Sequence, residues 1–167
     1  MCRSLINLIR ERFPNVKLLG GGEHASAVPE ECLRESSLDL IVCGEGEETA
    51  VEIAKVIQNG NAISESTTGI AFLNNEGLFI KTEPRARLTD IDNIAPPAWN
   101  LMPIHEYLDR GFGLGVNRGR SMPVVASRGC PYQCTFCSSP NMWTTRWVIR
   151  DPNLLLDEME DLMNRYG

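Results

Sequence analysis

The sequence predicts an α/β fold with a parallel sheet, and the main observation behind this is the alternation of apolar patterns over residues 1–60. Two short and mostly apolar runs, Val16–Leu19 and Asp39–Cys43, are predicted strands, and glycines directly follow each of them. Apolar residues at helical spacing predict helices before, between and after these strands. Helices that alternate with strands through short links indicate parallel pairing. The predicted helices cover about residues 5–13, 29–35 and 47–58.

Residues 61–120 form a predicted connector of a different character. Ile70–Leu73 and Leu78–Lys81 flank the polar turn Asn74–Gly77, a pattern typical of a β-hairpin. Four prolines between residues 82 and 109 interrupt regular structure, since proline donates no backbone hydrogen bond. A turn-rich loop is predicted next, from Gly111, Gly113, Gly115 and Gly119.

The third segment, residues 121–167, begins with a predicted strand at Met122–Ser127 that leads directly into a cysteine-rich loop. Asp151 and Pro152 then predict the start of a helix, as its N-cap and first helical residue. One strand and one helix are fewer than a stable domain requires. The sequence therefore predicts that this chain is an internal segment of a longer protein.

Composition and charge exclude several classes of protein. With 16 Lys and Arg against 22 Asp and Glu, the net charge is −6, and a broadly basic nucleic-acid surface is not indicated. No apolar run approaches the roughly 18 residues of a transmembrane helix. The amino-terminal residues lack the uninterrupted apolar core of a signal peptide. The predicted location is the cytoplasm, where thiols stay reduced.

Three of the six cysteines, Cys130, Cys134 and Cys137, fall within one short loop. In a reduced compartment such a cluster indicates a metal site before a disulfide. Three thiolates can hold three corners of a cubane iron–sulfur cluster and leave its fourth iron open to a small molecule. Zinc is the competing metal, but a structural zinc site usually takes four ligands in two pairs, and no second pair is present. A loop without metal is the remaining alternative.

The spacing C-x3-C-x-Phe-C, preceded by Arg128-Gly129, resembles the signature of the radical S-adenosylmethionine family. The resemblance implies a [4Fe-4S] cluster on Cys130, Cys134 and Cys137, with S-adenosylmethionine chelated to the open iron. It also implies an adenine contact at Phe136. One electron, from a donor such as flavodoxin or ferredoxin, would cleave the sulfonium to methionine and a 5′-deoxyadenosyl radical. Arg118, Arg120 and Arg128 are weaker candidates for binding a carboxylate or phosphate.

Two glycine-rich stretches carry a second resemblance. Residues 20–25, GGGEHA, and residues 42–49, VCGEGEET, resemble the carboxy-terminal half of the cobalamin (B12)-binding domain that precedes many radical S-adenosylmethionine domains. Glycines after parallel strands let a ligand approach the backbone at the carboxyl edge of the sheet. The alternative is that these glycines only form turns. The resemblance implies cobalamin contacts at Gly21, Gly22, Glu45 and Gly46.

Together the resemblances imply three parts. Residues 1–60 are the end of a Rossmann-like, flavodoxin-like B12-binding domain, residues 61–120 a connector, and residues 121–167 the first βα unit of a partial TIM-type barrel. The implied function is that of a cobalamin-dependent radical S-adenosylmethionine enzyme that methylates or rearranges a small molecule, with the isolated fragment inactive. The alternatives are a non-catalytic iron–sulfur electron-transfer module and a zinc-binding interaction module.

Overall fold

A computed structural model describes residues 2–112, 116 and 119–167, without the side chain of Cys2. It divides the chain into two compact units. The first contains the residues up to Leu88 together with Cys130–Arg146, and the second contains Thr89–Gly129 together with Trp147–Gly167. Much of the predicted turn-rich loop lies outside the described residues, and so does the candidate Arg118. The predicted domain boundaries concern a larger fold and stay predictions.

Helices and short strands alternate along the chain. No helix in the described ranges combines the length and apolar character that a membrane span requires. The elements are α1 (Cys2–Arg12), β1 (Leu19–Gly20), α2 (Glu23–Ala27), α3 (Pro29–Glu35), β2 (Leu40–Val42), α4 (Glu47–Gln58), β3 (Ile70–Leu73), β4 (Phe79–Lys81), a 3-10 turn (Trp99–Leu101), α5 (Ile104–Asp109), β5 (Ser127–Arg128), α6 (Ser139–Trp143), β6 (Val148–Ile149) and α7 (Pro152–Tyr166).

The first unit is built on a four-stranded sheet in the order β1-β2-β3-β4. β1 and β2 pair in parallel, with Leu19 opposite Leu40. β3 lies antiparallel to β2, with Ile70 opposite Val42, and β4 returns antiparallel to β3. The α/β class and the hairpin are therefore confirmed. Parallel pairing holds for β1 and β2 only, because the hairpin predicted within the connector adds two antiparallel strands to the same sheet.

The core of the first unit lies on both faces of β2. Leu40 and Val42 pack with Ile53 of α4 and Ile70 on one face, all at most 6% exposed. Ile41 points to the other face, where it joins buried residues of α2 and α3. A strand that is buried on both faces needs a continuous apolar run, and such a run made the strand at Asp39–Cys43 recognisable in the sequence.

The predicted first strand, Val16–Leu19, is wrong for most of its length, since β1 begins only at Leu19. Asp39 accounts for the difference. Its backbone amide donates to the Leu18 carbonyl at 2.9 Å, and its carboxylate accepts from the Leu18 amide at 2.8 Å. The carboxylate also pairs with Arg10 and Lys17. The Leu18 carbonyl thus still pairs with the neighbouring backbone, but its amide bonds to a side chain instead of continuing the ladder.

Asp39→Asn is expected to lower the free energy of unfolding by about 1–2 kcal/mol at pH 7. Burial raises the pKa of Asp39, but the bonds from Leu18, Lys17 and Arg10 outweigh burial and hold the pKa below its ordinary value of 3.8. A lowered folded-state pKa stabilises the fold above that ordinary value, and this stabilisation is lost as the pH falls through the folded-state pKa. Urea denaturation should therefore show the gap between wild type and variant closing below about pH 4.

The matched control is Glu76→Gln, an exposed acid in the hairpin turn. It should change the free energy of unfolding by less than about 0.5 kcal/mol at either pH. A gap for Asp39→Asn that stays the same from pH 7 into acid would contradict the assigned role of the carboxylate.

In the second unit, β5 and β6 pair antiparallel, with Ser127 opposite Ile149. The strand predicted over Met122–Ser127 is wrong except at its last residue, because β5 begins at Ser127. Pro123 has no amide to donate to a ladder. The start of α7 is confirmed: the Asp151 carboxylate caps it, accepting from the Asn153 amide at 2.7 Å. Assignment of these elements to a barrel stays a prediction.

Candidate cofactor site

Two glycine segments meet at one edge of the sheet in the first unit. Because β1 and β2 run parallel, Gly21-Gly22 and Gly44 leave the sheet at the same carboxyl edge. Gly22 and Gly44 have φ values of 89° and 77°, which side-chain-bearing residues rarely adopt. A Cβ atom placed on either would meet nothing within 4 Å. The backbone at this edge is therefore open to an approaching ligand.

Gly21 and Gly46 differ from these two turn glycines. Neither has a left-handed φ. A Cβ on Gly21 would lie 3.6 Å from the Val42 carbonyl oxygen, and one on Gly46 would lie 3.5 Å from Val42 Cγ1. Both distances are ordinary van der Waals contacts. The packing of the chain itself therefore does not require glycine at these two positions.

Glu45 lies between the glycines, but its carboxylate turns toward the chain. The side chain is 6% exposed and lies 3.9 Å from the Arg87 guanidinium, measured from Oε2 to Nε. The same oxygen accepts a hydrogen bond from the Leu88 amide at 2.7 Å. Glu45 thus fixes the segment that follows the hairpin. Its predicted contact with cobalamin stays a prediction.

The cysteine loop presents three free thiols. Cys130 is half-buried, and Cys134 and Cys137 are exposed. The Cys137 amide donates to the Cys134 carbonyl at 3.0 Å, and the Ser139 amide donates to Cys137 Sγ at 3.4 Å. Over the described residues, no three metal-ligating side chains converge on one point. The three thiols are thus near one another in sequence, but they do not surround a common point.

This donor set fits an iron–sulfur cluster. Cysteine thiolates are the usual ligands of such clusters, and hydrogen bonds to the sulfurs help to set their reduction potentials. The Ser139 amide supplies a bond of this kind at Cys137. The Phe136 side chain beside it is 91% exposed and packs into no core. Its predicted contact with S-adenosylmethionine stays a prediction.

The cysteines outside the loop have different surroundings. Cys32 and Cys43 pack against the core cluster around Ile41. Burial raises the pKa of the Cys43 thiol, and nearby Lys81 lowers it only in part. A thiol that stays protonated is a poor metal ligand. Cys32 and Cys43 therefore pack as small apolar residues.

The cysteine loop lies directly beside the glycine edge. Ser138, which follows the last cysteine, donates through Oγ to the Glu23 carboxylate at 2.9 Å, and Glu23 follows Gly22. α6 contacts α2 at the same place. Sequence reasoning missed this juxtaposition because the two residues are 115 positions apart.

A cleft of about 280 Å³ opens between this edge and α6. Ser26 lines it and accepts a hydrogen bond from the Gly44 amide at 3.0 Å. Three cations, Lys81, Arg85 and Arg87, stand along the hairpin side, while Asn141 and Thr144 belong to the cysteine-loop side. No motif in the sequence indicated these cations, which lie at the end of the hairpin and in the segment directly after it.

Comparison with known proteins shows which proteins this chain resembles. Residues 1–54 match the B12 binding domain family. The anaerobic magnesium-protoporphyrin IX monomethyl ester cyclase of Cereibacter sphaeroides is 32% identical over 165 residues, which are 97% of this chain and 26% of that protein. An uncharacterised methyltransferase of Pyrococcus horikoshii is 32% identical over 154 residues, 92% of this chain and 32% of that protein. The chain thus spans about a quarter to a third of these relatives.

Solved structures share the fold. The radical S-adenosylmethionine methyltransferase TsrM of Kitasatospora setae, solved with cobalamin and a [4Fe-4S] cluster, has a TM-score of 0.68 at 23% identity, over 98% of this chain and 31% of its own. The cobalamin-dependent S-adenosylmethionine radical enzyme OxsB has a TM-score of 0.75 at 21% identity, over 96% of this chain and 21% of its own.

The fold is an α/β domain, and its residues 1–54 match the B12 binding domain family. Over nearly its whole length the chain is similar to cyclases and methyltransferases, and it shares its fold with cobalamin-dependent radical S-adenosylmethionine enzymes. Both family resemblances seen in the sequence are thereby confirmed.

Proposed function

We propose that this chain holds two cofactors, an iron–sulfur cluster and cobalamin, for a radical S-adenosylmethionine enzyme that methylates or cyclises a small molecule. The observation that supports this most is the single compact unit that contains both the glycine edge and the cysteine loop, linked by Ser138 and Glu23. The similar proteins include cyclases and methyltransferases, which gives the two reaction classes.

On the cluster side, Cys130, Cys134 and Cys137 would each hold one iron, and the open fourth site would take S-adenosylmethionine. When bound and reduced, the cluster supplies the electron that cleaves the sulfonium. The Ser139 amide steadies the Cys137 sulfur with a hydrogen bond. The Phe136 ring is exposed, and the backbone of this residue would contact the adenine of S-adenosylmethionine.

On the cobalamin side, Gly21, Gly22 and Gly46 would let the corrinoid approach the backbone at the carboxyl edge, with Glu45 at its border. Cobalamin supplies a carrier for a methyl group. Gly22 and Gly44 keep the edge free of side chains. Ser26 holds the Gly44 amide and so fixes the edge's shape.

A small-molecule substrate and a reducing protein such as flavodoxin or ferredoxin complete this proposal. TsrM has been solved with tryptophan and a S-adenosylmethionine analogue, which illustrates the size of substrate that such a protein accepts. The cytoplasm is the proposed location, because reduced thiols are required for cluster assembly.

Anaerobic reconstitution of the chain with iron, sulfide and hydroxocobalamin tests the proposal. We expect about four irons and one cobalamin per chain, and an electron paramagnetic resonance signal of the reduced cluster that changes when S-adenosylmethionine is added. If the electron paramagnetic resonance signal of the cluster does not change when S-adenosylmethionine is added, the result would instead indicate an electron-transfer module. A chain that retains zinc and assembles no cluster would indicate an interaction module.

A further inference from the structure

Arg87 connects the glycine edge to the arm of the cysteine loop, defined here as residues 138–146. It follows the hairpin, and its side chain is only 13% exposed. At one end, Nε lies 3.9 Å from the carboxylate of Glu45. At the other, Nη1 donates to Thr144 Oγ1 at 3.3 Å and also to the Arg146 carbonyl. One guanidinium thus bridges two segments that are far apart in sequence.

The aromatic ring of Trp143 adds a third contact. The Arg87 guanidinium carbon lies 6.0 Å from the centroid of that ring. This is within the range at which a cation is attracted to an aromatic face. Arginine suits such a position because its planar group stacks on a ring while its N–H donors point in fixed, forked directions, whereas lysine carries a compact ammonium on a flexible stem.

The backbone of the arm is strained at the point that Arg87 contacts. Thr144 has φ 58° and ψ −173°, and it is the one non-glycine residue with a positive φ in the described ranges. A β-branched residue rarely adopts this conformation, and it persists only where its surroundings enforce it. The bonds from Arg87 Nη1 and from the Arg146 amide to Thr144 Oγ1, both 3.3 Å, supply that restraint.

We propose that Arg87 is a positioning residue that fixes the arm of the cysteine loop against the glycine edge. It thereby sets the separation between the cluster and the cobalamin. The inference rests on the proposed function. Ser138 anchors the start of the arm at Glu23, and Arg87 anchors its end at Thr144 and Arg146. With both ends of the arm held, the position of Cys137, which directly precedes the arm, follows that of the glycine edge.

The test variant is Arg87→Lys, because lysine keeps a positive charge beside the buried Glu45 and loses the branched donor. In the cofactor-free chain, amide hydrogen exchange over residues 138–146 is expected to rise about tenfold, while exchange in the core strand Leu40–Val42 stays unchanged. Arg34→Lys, at an exposed arginine paired with Glu30, is the matched control and should alter neither segment.

A double-variant cycle separates positioning from general stability. Thr144→Gly relieves the backbone strain, so the turn should then form without help from Arg87. Arg87→Lys is therefore expected to raise exchange in the arm much less in the Thr144→Gly background than in the wild-type background. Equal effects in both backgrounds would show that Arg87 does not act through this turn and would overturn the inference.

The loaded chain provides the second readout. With its three cysteines intact, Arg87→Lys should keep its iron content. The magnetic interaction between the reduced cluster and cob(II)alamin, measured by electron paramagnetic resonance, should become weaker or more widely distributed in strength. If wild type binds both cofactors and Arg87→Lys changes neither that interaction nor the exchange, the inference fails while the proposed function stands. If wild type binds no cobalamin, the proposed function itself has failed.

Discussion

Replacing any one of Cys130, Cys134 or Cys137 by alanine is expected to abolish most cluster assembly. Iron should fall from about four per chain to less than one after anaerobic reconstitution. The loop supplies three thiols, one for each of three irons of the cluster, so each of the three cysteines is needed. A cluster left with two protein ligands would be exposed to solvent and lost. Iron and sulfide analysis measures the result directly.

Cys43→Ala is the matched control for these variants. Cys43 is half-buried in the same compact unit, and burial raises the pKa of its thiol. Its loss should remove a few packing contacts and leave the iron content unchanged. An equal loss of iron from Cys43→Ala and Cys134→Ala would contradict a site made of three loop cysteines.

Local signals in the sequence predicted much of the fold. The helix α4 was predicted with both of its ends correct, since an acidic first turn follows Gly46 and Asn59-Gly60 ends it. The start of α7 was predicted from Asp151-Pro152, and the structure shows the Asp151 carboxylate capping the helix. In each case the residues that determine the boundary are neighbours in sequence, so the pattern contains the information.

Strand boundaries and pairing depended on distant residues and were predicted less well. β1 is short because the Asp39 side chain bonds to the Leu18 amide, a contact over 21 positions. The hairpin joins the sheet because Ile70 pairs with Val42, and nothing local to either segment specifies that register. Hydrophobic alternation indicates that a strand exists, but its partner is decided by how the helices and strands pack together.

In the candidate site, too, local features were predicted and contacts between distant residues were not. The cysteine spacing and the glycine pairs were visible as motifs, and they lie in one compact unit of the structure. Arg87 carries no motif, and Ser138 belongs to the cysteine motif only as the residue after its last cysteine. The two residues connect those regions only after folding has brought them close. Glu45 was singled out for its place between glycines, whereas the structure directs its carboxylate to the Leu88 amide. A motif therefore locates a backbone segment more reliably than it locates a side chain.

Gly21→Ala is expected to weaken cobalamin binding at least tenfold while changing the free energy of unfolding by less than about 0.5 kcal/mol. The methyl group makes only ordinary contacts with Val42, and the backbone at Gly21 has no left-handed φ to strain. The protein should therefore accept alanine. A corrinoid seated on the backbone at this edge would be displaced by the width of a methyl group. Titration of the reconstituted chain, followed by visible absorption of the corrinoid, gives the affinity.

Gly77→Ala is the matched control, because it separates loss of stability from loss of binding. Gly77 has φ 76° in the hairpin turn, and the register of β3 on β2 places that turn at the opposite edge of the sheet from Gly21. Alanine in a left-handed conformation costs about 1–2 kcal/mol. This variant should therefore be less stable and yet keep full cobalamin affinity. Unchanged affinity in Gly21→Ala would show that the glycines after β1 serve the turn alone, and cobalamin would have to be held elsewhere on the chain.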